Sequence, residues 1–373
     1  MSFSIAGLVL SFAPLNSASL ASSTLDNIDL YNTYQWNRQN RNTNKIDKGN
    51  WYEWWYYKVI HPETNQSFYF CYGIVNPWDK EGVSGNSRAL ISFGDFHQKM
   101  ILESSYPVTE FESQYGLLSS RIGAHSATEN TISASFEDKG HSVSFSFSVD
   151  KKKGWHALGW GFLFPSLFNI YWYPAQMDAL FSGTLTLDGR TYHFDKADGY
   201  QDHNWGRTFP QWWFWIAANS FDQNRESSFV GGGGDARISN GIKIPITGIL
   251  LALHHEGKLY EFRSNEPNYL FEYEIDLGSW SITAENPRYK LVVHAAADPK
   301  QMMDLEFQTP DGNIFHDYET LNGKLSVELY ERRIFFPFNF RAIAILSTQN
   351  KAGLEFGLDH PYVPSAKISG NIE

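Results

Sequence analysis

The sequence predicts an all-β protein of two tandem antiparallel β-barrels. Period-two alternation of apolar and polar residues runs through nearly all of it, tight-turn dipeptides punctuate the alternation, and a Trp-rich opening strand occurs twice. No stretch carries a capped 3.6-residue period over twelve residues, so sequential strands must close on themselves or pack as sheets.

Taken in order, the first 28 residues form a leader. Ile5 to Phe12 are apolar and small residues follow through Ala21, but no Lys or Arg precedes them. Residues 1–22 read as an export or other targeting signal, or as a disordered segment; without export the chain would remain cytoplasmic. The N-terminal barrel is expected over 29–205. Its clearest strand is His141 to Asp150, where Val143, Phe145, Phe147 and Val149 alternate with serines. Ile132, Ala134 and Phe136 alternate likewise, and Asp138-Lys139-Gly140 supplies the turn between the two. The same grammar recurs at Phe181 to Phe194 around Asp188-Gly189. The C-terminal barrel, over 206–373, repeats it at Ile249 to Phe262 around Glu256-Gly257 and at Leu305 to Phe315 around Pro310-Asp311-Gly312. Trp55 and Ser67 have the same separation as Trp215 and Ser227, which marks the opening of each copy.

Composition narrows the function. A net charge of −11 disfavours nucleic acid, which needs clustered Lys and Arg to displace counterions. The lone Cys71 can form neither an internal disulfide nor a zinc knuckle. No run reaches the roughly 18 to 20 apolar residues of a membrane helix, so a soluble chain is expected. Aromatic residues make up 16% of the chain, so apolar surface is concentrated in rings. No His cluster resembles a metal site, and Gly231 to Gly234 lacks the Lys-Ser or Lys-Thr of a phosphate loop and reads as a bulge or turn; no metal or cofactor is expected.

Chemistry-bearing residues concentrate between Tyr200 and Trp215. Asp202, His203 and four indoles, Trp205, Trp212, Trp213 and Trp215, lie within 14 residues. A second acid, Glu53, is embedded in Trp51-Tyr52-Glu53-Trp54-Trp55-Tyr56-Tyr57. A carboxyl packed against rings loses hydration and stays a proton donor near neutral pH. Aromatic faces also stabilise a cation. Together these properties suit protonation of an isoprenoid double bond. The plainer alternative makes the Trp side chains barrel core and Asp202-His203 a solvated corner.

At these residues the chain resembles the tocopherol cyclases. Tyr52-Glu53-Trp54-Trp55-Tyr56 is similar to that family's Phe-Phe-Glu-Gly-Trp-Tyr motif, and Gly159-Trp160, Phe164-Pro165 and Trp172 to its central elements. Tyr200, Asp202, Asn204-Trp205-Gly206, Phe209-Pro210, Trp213-Phe214-Trp215, Asn219 and Phe221 follow its longest motif, and His254, Tyr260-Glu261-Phe262 and Ala352-Gly353-Leu354-Glu355 continue the likeness. Asp202-His203 replaces the family's Glu-Lys and is closer to the related carotenoid hydratases and AttH-like proteins. Trp54 replaces a glycine and would reshape the cavity.

The resemblance implies a lipocalin-like form for both barrels and cyclisation of a prenylated quinol: an acid protonates the prenyl double bond and the phenolic oxygen captures the tertiary cation, closing a chromanol ring. Asp202 or Glu53 would be the acid, with His203 tuning it or relaying a proton. Trp55, Trp205, Trp213 and Trp215 would line the prenyl cavity, and Tyr200 and Asn219 would orient the quinol head. Of His254 and His255, adjacent on one strand, only one can face inward; His254 is the candidate ligand contact. A prenylquinol resides in lipid, so a transient membrane-surface encounter is expected, without a basic amphipathic helix as anchor. Two other classes fit the same residues: a hydratase or isomerase, for which a polar group deep in the cavity would speak, and a non-catalytic carrier of lipids or quinones.

Overall fold

The computed structural model describes residues 35, 46, 48–113, 118–128, 130–163, 168–237, 245–333 and 339–372. The expected leader and Phe164-Pro165 lie outside them. The first sheet comprises β1 (Tyr52–Ile60), β2 (Ser67–Val75), β3 (Arg88–Asp95), β4 (Met100–Tyr106), β5 (Phe111–Ser113), β6 (Ser119–Ile122), β7 (His125–Thr128), β8 (Thr131–Asp138), β9 (His141–Lys153), β10 (Ile170–Leu187) and β11 (Arg190–Gly206). The second comprises β12 (Trp212–Ala218), β13 (Ser228–Arg237), β14 (Pro245–His255), β15 (Lys258–Arg263), β16 (Leu270–Asp276), β17 (Ser279–Glu285), β18 (Tyr289–Ala296), β19 (Met303–Gln308), β20 (Ile314–Arg332), β21 (Phe340–Leu358) and β22 (Ile368–Ile372).

Both sheets are antiparallel meanders in which a long-range pairing joins the opening strand to a late one, and in the second sheet β22 also pairs back with β16. In the first, β1 pairs with β11, giving the order β4-β3-β2-β1-β11-β10-β9-β8-β7-β6-β5. In the second, β12 pairs with β21 in the same way. The first sheet curls until its ends meet: the Tyr106 hydroxyl on β4 lies 2.8 Å from His125 Nε2 on β7, and Lys139 Nζ donates to the carbonyl of Ile101 at 3.0 Å. In the second, Lys258 on β15 donates to the Tyr289 hydroxyl on β18 at 2.7 Å. These are the two antiparallel barrels expected.

The hairpin turns sit where the dipeptides placed them. Lys139-Gly140, Asp188-Gly189 and Glu256-Gly257 all have positive φ at both positions, the backbone that a two-residue turn needs to match the strand twist. The glycine run is not a bulge or turn. Gly231 to Gly234 lie inside β13, in unbroken register with β12 and β14.

Each barrel has its own packed interior. The first buries Trp55, Tyr57, Phe68, Phe70, Phe145, Phe147 and Trp205; the second buries Trp212, Phe214, Ile216, Leu251, Trp280 and Leu354. A third apolar cluster, including Tyr56, Tyr69, Trp155, Tyr200, Trp215, Leu250 and Leu305, joins the outer faces of the two sheets. Trp55 therefore faces its barrel interior and Trp215 faces outward. The apparent repeat between them is one residue out of phase in facing, because a strand alternates with period two.

Candidate active site

The cavity lies between the barrels rather than within either. It encloses about 230 Å³, and its wall is mostly aromatic: Tyr52, Trp54, Tyr56, Trp172, Trp213 and Trp215 contribute. From β1 it takes the even-numbered residues, whose side chains point away from the barrel that buries Glu53, Trp55 and Tyr57. Glycines make room at the wall. A Cβ on Gly232 would come within 2.9 Å of the Trp172 ring, whereas one on Gly248 would meet nothing within 4 Å.

Asp202 is the acid on the N-terminal wall. Its Oδ2 accepts from the Trp172 indole N–H at 3.1 Å and from the Tyr200 hydroxyl at 3.0 Å, and Trp215 in turn donates to the Tyr200 hydroxyl at 3.2 Å. Its Oδ1 is buried with no hydrogen-bond partner among the described residues. Loss of hydration pushes the carboxyl up to about 7, against the opposing pull of the two donors on Oδ2. The local backbone is shaped for this position. Between Tyr173–His203 and Gln176–Gln201 the β10–β11 register slips, so a bulge carrying Pro174 lies beside Asp202. Proline has no N–H to give a ladder, and a bulge is where a sheet tolerates it.

The opposite wall carries three further carboxyls that sequence reasoning did not select. Asp317 and Glu319, two residues apart on β20, face the cavity beside Glu355 of β21, which pairs directly with Glu319. One oxygen of each lies within 4.8 Å of the others. Tyr56 donates to Glu319 at 2.6 Å and the Trp213 indole to Asp317 at 3.2 Å. Burial raises all three acids: Asp317 is pushed up to about 8, with Asp304 adding to it, and Glu319 and Glu355 are held well above the carboxylate range, with the charge of Asp317 adding to burial. Groups so close in a dry wall share protons or a cation. A second, more exposed group of Asp304, Glu306 and His316 has similar spacing, with His316 Nδ1 2.9 Å from Asp304. The available signal for the buried acids was the i, i+2 pair Asp317 and Glu319 among rings; Glu355 joins them only through cross-strand pairing.

Other expected site residues fall elsewhere. Glu53 lies in the N-terminal barrel interior, where its carboxylate accepts from the backbone N–H of Gln35 at 2.7 Å and the Trp51 indole at 3.1 Å, and lies 2.9 Å from His203 Nε2. Trp55 stacks on His203 at 4.8 Å, and Trp205 stacks on Tyr171 at 5.4 Å in the same interior. Glu53, His203, Trp55 and Trp205 are therefore core, because residues next to Asp202 and Tyr56 along their strands point the other way. Asn219 donates to the Gly199 carbonyl and ties the barrels together. Tyr200 stands behind Asp202. His254 shares the outer face of β14 with Leu250 but lies beyond the cavity wall, and His255 is bonded to Ser227 at 2.8 Å. Of the expected set, Asp202, Trp213 and Trp215 line the cavity.

A sequence family described as tocopherol cyclase-like matches residues 123–358. Among curated proteins, the chain is 24% identical over 358 residues to a probable tocopherol cyclase, chloroplastic, of Oryza sativa subsp. japonica, covering 82% of this chain and 75% of that protein. The chloroplastic tocopherol cyclase of Zea mays is also 24% identical, with 82% and 74% covered. Among solved structures, CghA with Sch210972 aligns at a TM-score of 0.49 and 10% identity, over 85% of this chain and 91% of that one. Kievitone hydratase from Nectria haematococca aligns at 0.45 and 11%, over 82% and 88%.

Proposed function

The chain belongs to the tocopherol cyclase-like family, and from that premise we propose that it closes a chromanol ring on a prenylated quinol by proton-initiated cyclisation in the cavity between the barrels. One observation carries this reading: Asp202 is a buried, desolvated carboxyl with one oxygen fixed by Trp172 and Tyr200 and the other free among aromatic walls. The free oxygen delivers its proton to the prenyl double bond. The tertiary cation then forms against ring faces, where quadrupoles stabilise it and water is scarce. The phenolic oxygen, held in the same cavity, captures the cation before solvent does. Trp54, where the resembled motif has glycine, stacks on Phe307 at 6.1 Å and narrows the space for the substrate.

A second reading, addition of water to the same cation, draws support from Asp317, Glu319 and Glu355, which give the far wall the polarity needed to hold a water molecule. One experiment separates them. Purified protein and its Asp202→Asn and Glu53→Gln variants are incubated with a reduced prenylquinol in deuterated buffer and followed by mass spectrometry. The expected product is a chromanol with one deuterium in the new ring, reduced at least about 100-fold in Asp202→Asn. Glu53→Gln is expected to make the same product while being less stable, since it removes an acceptor from the buried hydrogen bonds with the Gln35 N–H, the Trp51 indole and His203. A tertiary alcohol would favour the hydratase, and tight binding with unchanged quinol the carrier.

A further inference from the structure

We infer that Asp317, Glu319 and Glu355 form the subsite for the hydroxylated head of the substrate, with its apolar tail laid across β12 toward β13 and β14; this rests on the prenylquinol reading. Strand register arranges the C-terminal wall in two rows. One runs Glu319, Glu355, Trp215, Gly232, Leu250, each residue paired with the next across β20, β21, β12, β13 and β14. The other runs Asp317, Gly357, Trp213, Gly234, Gly248 across the same strands. Paired residues share a face of the sheet. Each row therefore passes from a carboxyl over an indole to glycine and open or aliphatic wall. Four strand spacings of about 4.8 Å make that course roughly 19 Å long, enough for a ring and an extended tail.

An independent sign of a ligand faces these rows. Asp202 is 7% exposed, lines the same cavity, and its Oδ1 has no hydrogen-bond partner among the described residues. Its Oδ2 is held by Trp172, whose ring lies against Gly232, and by Tyr200, to which Trp215 also donates. Asp202 thus stands over the middle of the rows, between the carboxyls and the glycines. With the head on the carboxyls, the bond joining head to tail comes to lie beneath Asp202, where the prenyl double bond is to be protonated. The carboxyls suit an uncharged oxygen head. Burial keeps all three protonated at neutral pH, and a neutral carboxyl both donates and accepts. Tyr56 already donates to one oxygen of Glu319 and Trp213 to one of Asp317, which leaves the second oxygen of each for the ligand hydroxyl.

The test reads binding rather than turnover, by anaerobic calorimetry on the full-length chain. Two probes carry the same saturated tail: a hydroquinone, and the alkylbenzene that lacks its hydroxyls. The wild type is expected to bind the hydroquinone at least about 10-fold more tightly. Glu319→Gln and Asp317→Asn, whose amides still donate and accept, should keep that preference. Glu319→Met, of similar length but apolar, should bring the two probes within about 3-fold of each other while binding the alkylbenzene no more weakly than the wild type does. A wild type that binds both probes equally, or neither, would overturn the inference. So would a Glu319→Met variant that keeps the full preference, or one that weakens both probes alike. Neither probe has a double bond to protonate, so the result is independent of catalysis. A chain that shows the preference yet makes no chromanol from the prenylquinol keeps the subsite and loses the cyclase reading, and one that makes chromanol without the preference loses the subsite alone.

Discussion

Asp202 and Glu53 contrast two ways of burying a carboxylate. Glu53 meets two N–H donors and the ring of His203, so both of its carboxyl oxygens have hydrogen-bond partners. Asp202 meets two donors on one oxygen only, and the other is left dry. Its folded value of about 7 stands above the ordinary 3.8, so the folded chain retains a proton that the unfolded chain loses as pH rises between them. Stability contributed by the neutral form is complete below about pH 4 and is lost as pH climbs through 7. The shift corresponds to roughly 4 kcal/mol at most, at about 1.4 kcal/mol per pH unit. Asp202→Asn is therefore expected to weaken the fall in thermal stability between pH 5 and pH 8 and to be the more stable protein at pH 8. An identical slope in both proteins, measured by thermal melts across that range, would show that this carboxyl is not the proton holder.

At the scale of the strand, the two faces have separate tasks, and the glycines belong to the cavity face. Gly248 has open space where a side chain would project and takes part in the cavity wall. Gly248→Leu is expected to leave the melting temperature nearly unchanged and to raise KM for a long-tailed quinol about 10-fold or more, with a smaller effect on a short-tailed one; equal effects on both tails would place the tail elsewhere. Much of this level was legible beforehand. The alternation at Val143 to Val149 and the turn at Asp188-Gly189 are local, and local chemistry writes itself into sequence. Which face of Trp51 to Tyr57 meets the ligand is not local: it depends on a second barrel packing against β1, and a reading that places ligand inside a barrel selects Trp55 and Glu53 instead of Tyr56. For the same reason Asp202 was visible, in a run dense with rings, whereas Glu319 and Glu355 become one group only through β20–β21 pairing.

The whole molecule is held together across the cavity by specific bonds as well as apolar contact. Lys58 donates to the Lys351 carbonyl at 3.0 Å, Asn76 to the Pro310 carbonyl at 2.8 Å and Trp155 to Glu261 at 2.7 Å. Arg263, which also binds Glu261 on its own strand, donates to the Ala157 carbonyl at 2.9 Å across the same junction. A ligand that touches both walls must favour their association. A redox-inert quinol analogue at 100 times its Kd is expected to stabilise the chain by about 2.7 kcal/mol and to raise a single thermal transition. Two separate transitions, only one of which moves, would show that the ligand is held by one barrel alone.

The outward position of the cavity has a consequence for how such a protein can change over time. In a barrel that holds ligand in its lumen, the residues that choose the substrate are also those that keep the strands packed, and altering one disturbs the other. Here Tyr52, Trp54 and Tyr56 border the cavity while Trp55 and Tyr57 fill the core beside them. Neighbouring codons thus answer to different selective pressures, and new substrate preferences can be explored at every second position of β1 while the barrel beneath remains intact.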